Sequence, residues 1–280
     1  MVCVVYTINC LAYTPRPLIY CMHMPLIDTH LHFDAPEFTA DAAQRWASAQ
    51  AAGVAHAIVP AVSVSTFDRT ISVASQFGMD VALGLHPLYL DRHETEHLAV
   101  LEHYLMQGQA VAVGECGLDF YVPGLDHARQ EALLLAQLKL ARRFDLPVIL
   151  HVRRSQDRVL KCLRQVRVRG GLAHAFNGSV QQAEAFIDLG FCLGFGGAMT
   201  YQGSQRIRRL AATLPLSALV LETDGPDMAP EWGQGQPNGP ENLPRIAAVL
   251  AELRDLSLEA VVHATYQNVC RVVPGLRPGK

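Results

Sequence analysis

The sequence predicts an α/β protein of the TIM (β/α)8 barrel type, with a metal site at the C-terminal ends of its strands. Three observations lead there. Eight short apolar runs alternate with longer amphipathic stretches from residue 25 onward. The runs are almost continuously apolar, the pattern of parallel strands covered by helices. Side chains able to bind metal recur at the ends of those runs, where barrels place their chemistry. At 280 residues and 50% hydrophobic, the chain can bury one such core. The alternative, an open doubly wound sheet, would carry a Gly-x-Gly-x-x-Gly turn after its first strand, and none follows here.

Residues 1–24, "MVCVVYTINCLAYTPRPLIYCMHM", lack a basic start and are broken by Pro15 and Pro17. They fit neither a signal peptide nor a membrane span and read as a loose N-terminal extension. No linker divides residues 25–280, so a single barrel domain is expected there. Its first run, "PLIDTHLHF", places His30 and His32 two apart, on one side of a strand. The stretch "TADAAQRWASAQAAG" then predicts a helix opening at Thr39 and closing at Gly53. After the second run, "AHAIVPAV", the third, "DVALGLHP", ends at His86, and the fourth, "AVAVGECGLDF", carries Glu115 and Asp119. Cys116 alternates with Glu115 and should face the helices. "DHARQEALLLAQLKLARRFD" predicts a helix capped by Asp126. The fifth run, "PVILHVR", brings His151 with Arg153 on the same side; the sixth, "GLAHAFNG", brings His174, with Asn177 in the loop beyond. "FCLGFGG" is the seventh, and the eighth, "ALVLETDGP", ends at Asp224 with Glu222 two residues before it.

Composition removes several function classes. A net charge of -3 gives no global basic field for wrapping nucleic acid, so any polyanion must be held locally. Seven scattered cysteines with no Cys-x-x-Cys pair suit a reducing cytoplasm and argue against a zinc ribbon. Imidazoles and carboxylates converging on one barrel mouth, without thiolates, instead suit divalent Zn, Mn or Mg. There are enough of them for two ions sharing a carboxylate, and Glu115, from a central strand, is the natural bridge.

Taken together, "DTHLHFD", "GLHP", "GECGLDF", "LHVRR", "HAFNGS", "GFGG" and "LETDGP" resemble, in order from residue 26 to 271, the TatD family of metal-dependent hydrolases within the amidohydrolase-like superfamily. "GQPNGPENL" is similar to its YjjV-like branch. The resemblance implies a barrel nuclease or phosphodiesterase whose metal ligands are His30, His32, Glu115, His151, His174 and Asp224. It implies a divalent-cation-dependent deoxyribonuclease of 3'-5' exonuclease type with a metal-activated hydroxide as nucleophile; single-stranded DNA ends are expected as substrate because a barrel mouth cannot admit a duplex. The chain departs from the family pattern at Cys116, Ser155 and Gly225, and Pro237 stands before Asn238 where other branches carry a basic residue.

Within that expectation Asp224 holds the first metal and accepts the water's proton, Glu115 bridges, and His86, outside the ligand set, is free to hydrogen-bond the phosphate or leaving oxygen. Arg153 either pairs with phosphate or serves as a structural partner for Asp119 or Asp157. Asn177 and Asn238 are candidate substrate contacts, and Glu222 a supporting residue. A cytoplasmic monomer without membrane contact is expected. Two other functions stay open: hydrolysis of a small ester or amide on the same centre, and a non-catalytic metal-binding protein. The first loses ground because strand four offers Glu115 and no lysine to bridge the ions, and the second because His86 and Arg153 exceed what a structural ion needs.

Overall fold

The computed structural model describes residues 25–277, so the expectation of a loose extension over residues 1–24 lies outside the described residues. The elements alternate without exception through the eighth strand: β1 (Leu26–Asp28), α1 (Ala42–Ala51), β2 (Val54–Pro60), α2 (Phe67–Phe77), β3 (Asp80–Leu83), α3 (His97–Met106), β4 (Ala112–Asp119), α4 (His127–Arg143), β5 (Val148–Arg153), α5 (Gln156–Gln165), β6 (Gly171–Ala173), α6 (Val180–Asp188), β7 (Phe191–Phe195), α7 (Gln205–Thr213) and β8 (Leu219–Leu221). Two helices follow, α8 (Leu243–Arg254) and α9 (Leu258–Val272). Every neighbouring pair is parallel, and the strands lie in sequence order in one sheet. The (β/α)8 barrel closes where the chain beyond β1 meets the end of β8. There Thr29 N and Oγ1 both donate to Leu221 O, and Asp224 N donates to His30 O at 2.8 Å.

Burial explains why the strands read as apolar throughout. One inward residue from each strand fills the lower barrel: Ile27, Ile58, Ala82, Ala112, Ile149, Leu172, Cys192 and Val220, with Val269, Val272 and Val273 closing the floor. The outward faces pack under the helices, and Cys116 belongs to that outer layer, fully buried. Backbones approach closely where strands curve. A Cβ on Gly117, at φ 153°, would lie 1.9 Å from the His151 carbonyl oxygen of the next strand, so only glycine lets β4 pair there with β5.

Two expectations about local structure need correction. The first helix begins at Ala42 with Asp41 before it, rather than at Thr39. Thr39 instead ends a 3-10 turn, Pro36–Phe38, formed because Phe38 is drawn wholly into the core. Asp126 does cap α4, its side chain accepting from Arg129 N. The apolar runs also overshoot the strands. His30, His32, His86, His174 and Asp224 all lie just past the last paired residue of their strands. They remain in place because single backbone bonds continue the wall, such as Leu31 N to Ile58 O and His174 N to Leu150 O, both 3.1 Å. Among the described residues no helix is long and apolar enough to cross a membrane.

Candidate metal centre

Glu115, 1% exposed, stands at the centre of the barrel mouth. Its Oε2 lies 3.1 Å from His30 Nε2 and 3.4 Å from His32 Nε2. Its Oε1 lies 2.8 Å from His174 Nε2, 3.0 Å from His151 Nδ1 and 3.0 Å from His86 Nε2. Asp224 Oδ1 faces the first cluster, 3.6 Å from His30 Nε2 and 3.7 Å from His32 Nε2. Asp224 adopts a left-handed backbone, φ 55°. Such a conformation costs a non-glycine residue free energy and persists only where surrounding bonds enforce it. Here its N–H on His30 O and the Asn238 amide on Thr223 O, 2.7 Å, supply that enforcement.

Outer contacts decide which ring nitrogen His32 and His151 turn inward, whereas the Nδ1 atoms of His30 and His174 are buried without a partner. His32 donates Nδ1–H to Pro60 O at 3.2 Å, leaving Nε2 bare. His151 places Nε2 2.9 Å from Asp119 Oδ2, leaving Nδ1 for the centre. Carboxylates and carbonyls in this position orient ligating imidazoles and raise their basicity. His86 is arranged the other way. Leu88 N donates to its Nδ1 at 3.1 Å, so the ring hydrogen sits on Nε2 and is given to Glu115 Oε1. The expectation that His86 is uncommitted is therefore corrected: its donor already holds Glu115.

Charge in the cluster is tightly interdependent. Burial opposes protonation of His32 and His174, but the Glu115 carboxylate outweighs it and raises them to about 9 and about 10. Burial lowers His86 to about 4 against the pull of Glu115. Burial also favours a neutral Glu115, yet the facing histidines hold its carboxyl well below the usual range. Behind the ligands, burial raises Asp28 to about 7 and Glu222 to about 8. His30 Nε2 and His32 Nε2 face each other at 3.3 Å. Nitrogen and oxygen donors with no sulfur, gathered as His30–His32–Asp224, as His30–Glu115–His174 and as His86–Glu115–His151, fit a divalent cation.

The remaining candidates are placed as follows. Arg153 carries Nη1 3.9 Å from Asp119 Oδ2 and its guanidinium over the Tyr121 ring at 3.9 Å; Asp157 is taken by Gln182 instead. Asn177 accepts from Arg206 Nε at 2.8 Å, so its side-chain oxygen is engaged in tying the loop after β6 to α7. Asn238 likewise braces the loop after β8, bonding Thr223 O, Gly239 N and Asn242 Nδ2. Glu222 accepts from Ala175 N, directly after His174, and its Oε2 has no partner. Sequence reasoning missed two residues. Asp28, buried within an apolar run, accepts from Thr223 N and Oγ1 and so ties β1 to the residue before Asp224. Its signal was a carboxylate inside "LID". Tyr121 was unmarked because an aromatic after "GLDF" has no rare chemistry of its own.

A parallel barrel whose mouth gathers paired imidazoles around a shared carboxylate defines a metal-dependent hydrolase. Comparison with known proteins narrows this. Residues 27–274 match the family model described as TatD related DNase, and the chain belongs to the TatD family. The uncharacterized metal-dependent hydrolase YjjV of Escherichia coli K12 is 44% identical over 246 residues, covering 86% of this chain and 95% of that protein. The crystal structure of that TatD homologue superposes with a TM-score of 0.87 at 42% identity, covering 90% of this chain and 99% of the other. Human deoxyribonuclease TATDN3 is 28% identical over 268 residues, covering 90% and 96% of the two chains.

Proposed function

We propose that the protein is a deoxyribonuclease that hydrolyses phosphodiester bonds at single-stranded DNA ends, in the 3'-5' direction, with two divalent ions bound. One observation carries the reading: Glu115 directs one oxygen to His30 and His32 and the other to His151 and His174. A carboxylate so divided suits two cations: His30, His32 and Asp224 would hold one, and His151 and His174 would hold the other. When bound, Mg, Mn or Zn ions supply a water of lowered pKa and positive charge against the phosphate's non-bridging oxygens. The chain's own residues do the rest. Asp224 Oδ1, at the first cluster, accepts the proton of the attacking water. His86, with its hydrogen on Nε2, donates to Glu115 Oε1 and so holds the shared carboxylate in the orientation that divides its oxygens between the two clusters. Asp119 keeps His151 turned inward. The name of the human relative supports DNA as the polymer.

The test is a side-by-side assay of metal-reconstituted protein on end-labelled single-stranded DNA and on a panel of small esters and amides. Stepwise release of mononucleotides from the 3' end is expected. Turnover of the small esters or amides with DNA left intact would overturn the reading.

A further inference from the structure

We propose that the cleft beside β5 is a subsite for the nucleotide flanking the scissile bond of a single strand, built on an Arg153–Tyr121–Arg154 assembly. This rests on the phosphodiesterase reading above and names how such a substrate is gripped. Tyr121 is a large aromatic left 48% exposed at the barrel mouth. The guanidinium carbons of Arg153 and Arg154 lie 3.9 and 4.6 Å from its ring centroid. Next to it opens a cleft of about 350 Å³ lined by Phe120, Arg154, Ser155, Gln156, Arg158 and Lys161, together with Asp157. That volume falls within the range of ligand clefts, roughly 300–1,000 Å³. Phe120 is itself stacked on the exposed His127 ring, at 3.9 Å and 25°.

The charges sort by whether the protein already uses them. Arg158 pairs with Glu131, and Asp157 accepts from Gln182. Among the described residues Arg154 and Lys161 pair with no carboxylate and face the cleft. A tyrosine ring carrying guanidinium planes, with unpaired cations beside it, suits an unstacked base and its phosphate, because bases stack on guanidinium planes as well as on aromatic rings. A duplex offers no free base face, so the subsite selects single strands.

Its position relative to the metal centre is fixed by one side chain. Asp119 Oδ1 accepts from Tyr121 N at 2.8 Å and Val122 N at 3.0 Å, while Oδ2 meets His151 Nε2 at 2.9 Å. The same carboxylate therefore sets both a metal-facing imidazole and the aromatic platform.

The test uses metal-loaded full-length protein and fluorescent phosphorothioate oligothymidylates of two, four and eight nucleotides, which resist hydrolysis. Affinity should rise from the dinucleotide to the tetranucleotide and then level off. Tyr121→Ala and Arg154→Ala should each lose about 10-fold on the tetranucleotide and abolish the rise, since stacking is worth roughly a factor of 5 to 150 per base. Tyr121→Phe should retain the rise, which separates lost stacking from lost folding. Arg167→Ala, between α5 and β6 at the other end of the barrel, should behave as wild type. Wild-type length dependence in Tyr121→Ala, or an equal loss in Arg167→Ala, would overturn the subsite. Separately, if the length pattern holds but no unmodified DNA is cleaved, it is the phosphodiesterase reading that fails.

Discussion

Glu115 touches five imidazoles through two oxygens, so Glu115→Ala should abolish activity and release most bound metal together, as elemental analysis of the purified variant would show. Its neighbour gives the contrast. Cys116→Ala removes a buried thiol from the outer layer and should cost about 1 kcal/mol of stability while metal content holds. His86→Ala should keep its metal and lose rate, because its Nδ1 is already occupied by Leu88 N–H and its Nε2 carries a hydrogen, leaving no lone pair for an ion. Metal loss in that variant would place His86 among the ligands. A pH effect belongs to His93, which donates Nε2–H to His86 O and is kept neutral by burial and by the nearby His97, Arg129 and Arg92. Its proton is bound more weakly in the folded chain than in the unfolded one. The stability this gives is complete above the unfolded value of 6.5 and is lost as pH falls below it. His93→Gln keeps the donor without the charge, so its melting temperature should fall less than wild type's between pH 7.5 and 5 in otherwise identical scans.

The helices and strands are held by local devices that can be removed one at a time. Ser179 caps α6 through a capping box with Gln182, each side chain bonding the other's backbone N–H. Ser179→Ala should cost about 1 kcal/mol, readable in a urea melt, with no change in metal content. The strands were legible in the sequence because parallel barrel strands are buried on both faces, and the apolar runs record that burial. Their ends were less legible, since residues past the last ladder bond of β1, β6 and β8 stay buried in the wall and so look the same in composition. The candidate ligands stood out for a related reason: His30, Glu115, His151 and Asp224 are costly inside apolar runs unless something binds them. The settings of His86 and Asn177 could not be read off, because each depends on a partner atom, Leu88 N and Arg206 Nε, whose position only the folded backbone determines. Gly194 belongs here too. A Cβ there would sit 2.1 Å from Glu222 Oε2, so the glycines of "LGFGG" make room for a carboxylate behind His174.

For the molecule as a whole, net charge sets how nucleic acid would be held on the proposed reading. At -3 overall, with Arg153, Arg154 and Lys161 near the mouth, only two or three phosphates should be neutralised by side chains. The salt slope of log K for a single strand should then be about -1.4 to -2.1, at roughly -0.7 per contact. A much steeper slope in a salt titration would point to an extended basic track, with Arg164, Arg167 and Arg169 the first suspects. The closure of the barrel also orders events in time. Asp28 and Thr223, bonded across the seam, are 195 residues apart, and His30 and Asp224 flank them on the same seam. At synthesis rates of about 5–20 residues per second, roughly 10–40 s pass between His30 and Asp224 leaving the ribosome. A nascent or truncated chain thus cannot assemble His30, His32 and Asp224 into one set of donors. On the proposed reading, ion capture at that donor set would await the complete chain, since a fragment ending before β8 lacks the Asp224 carboxylate.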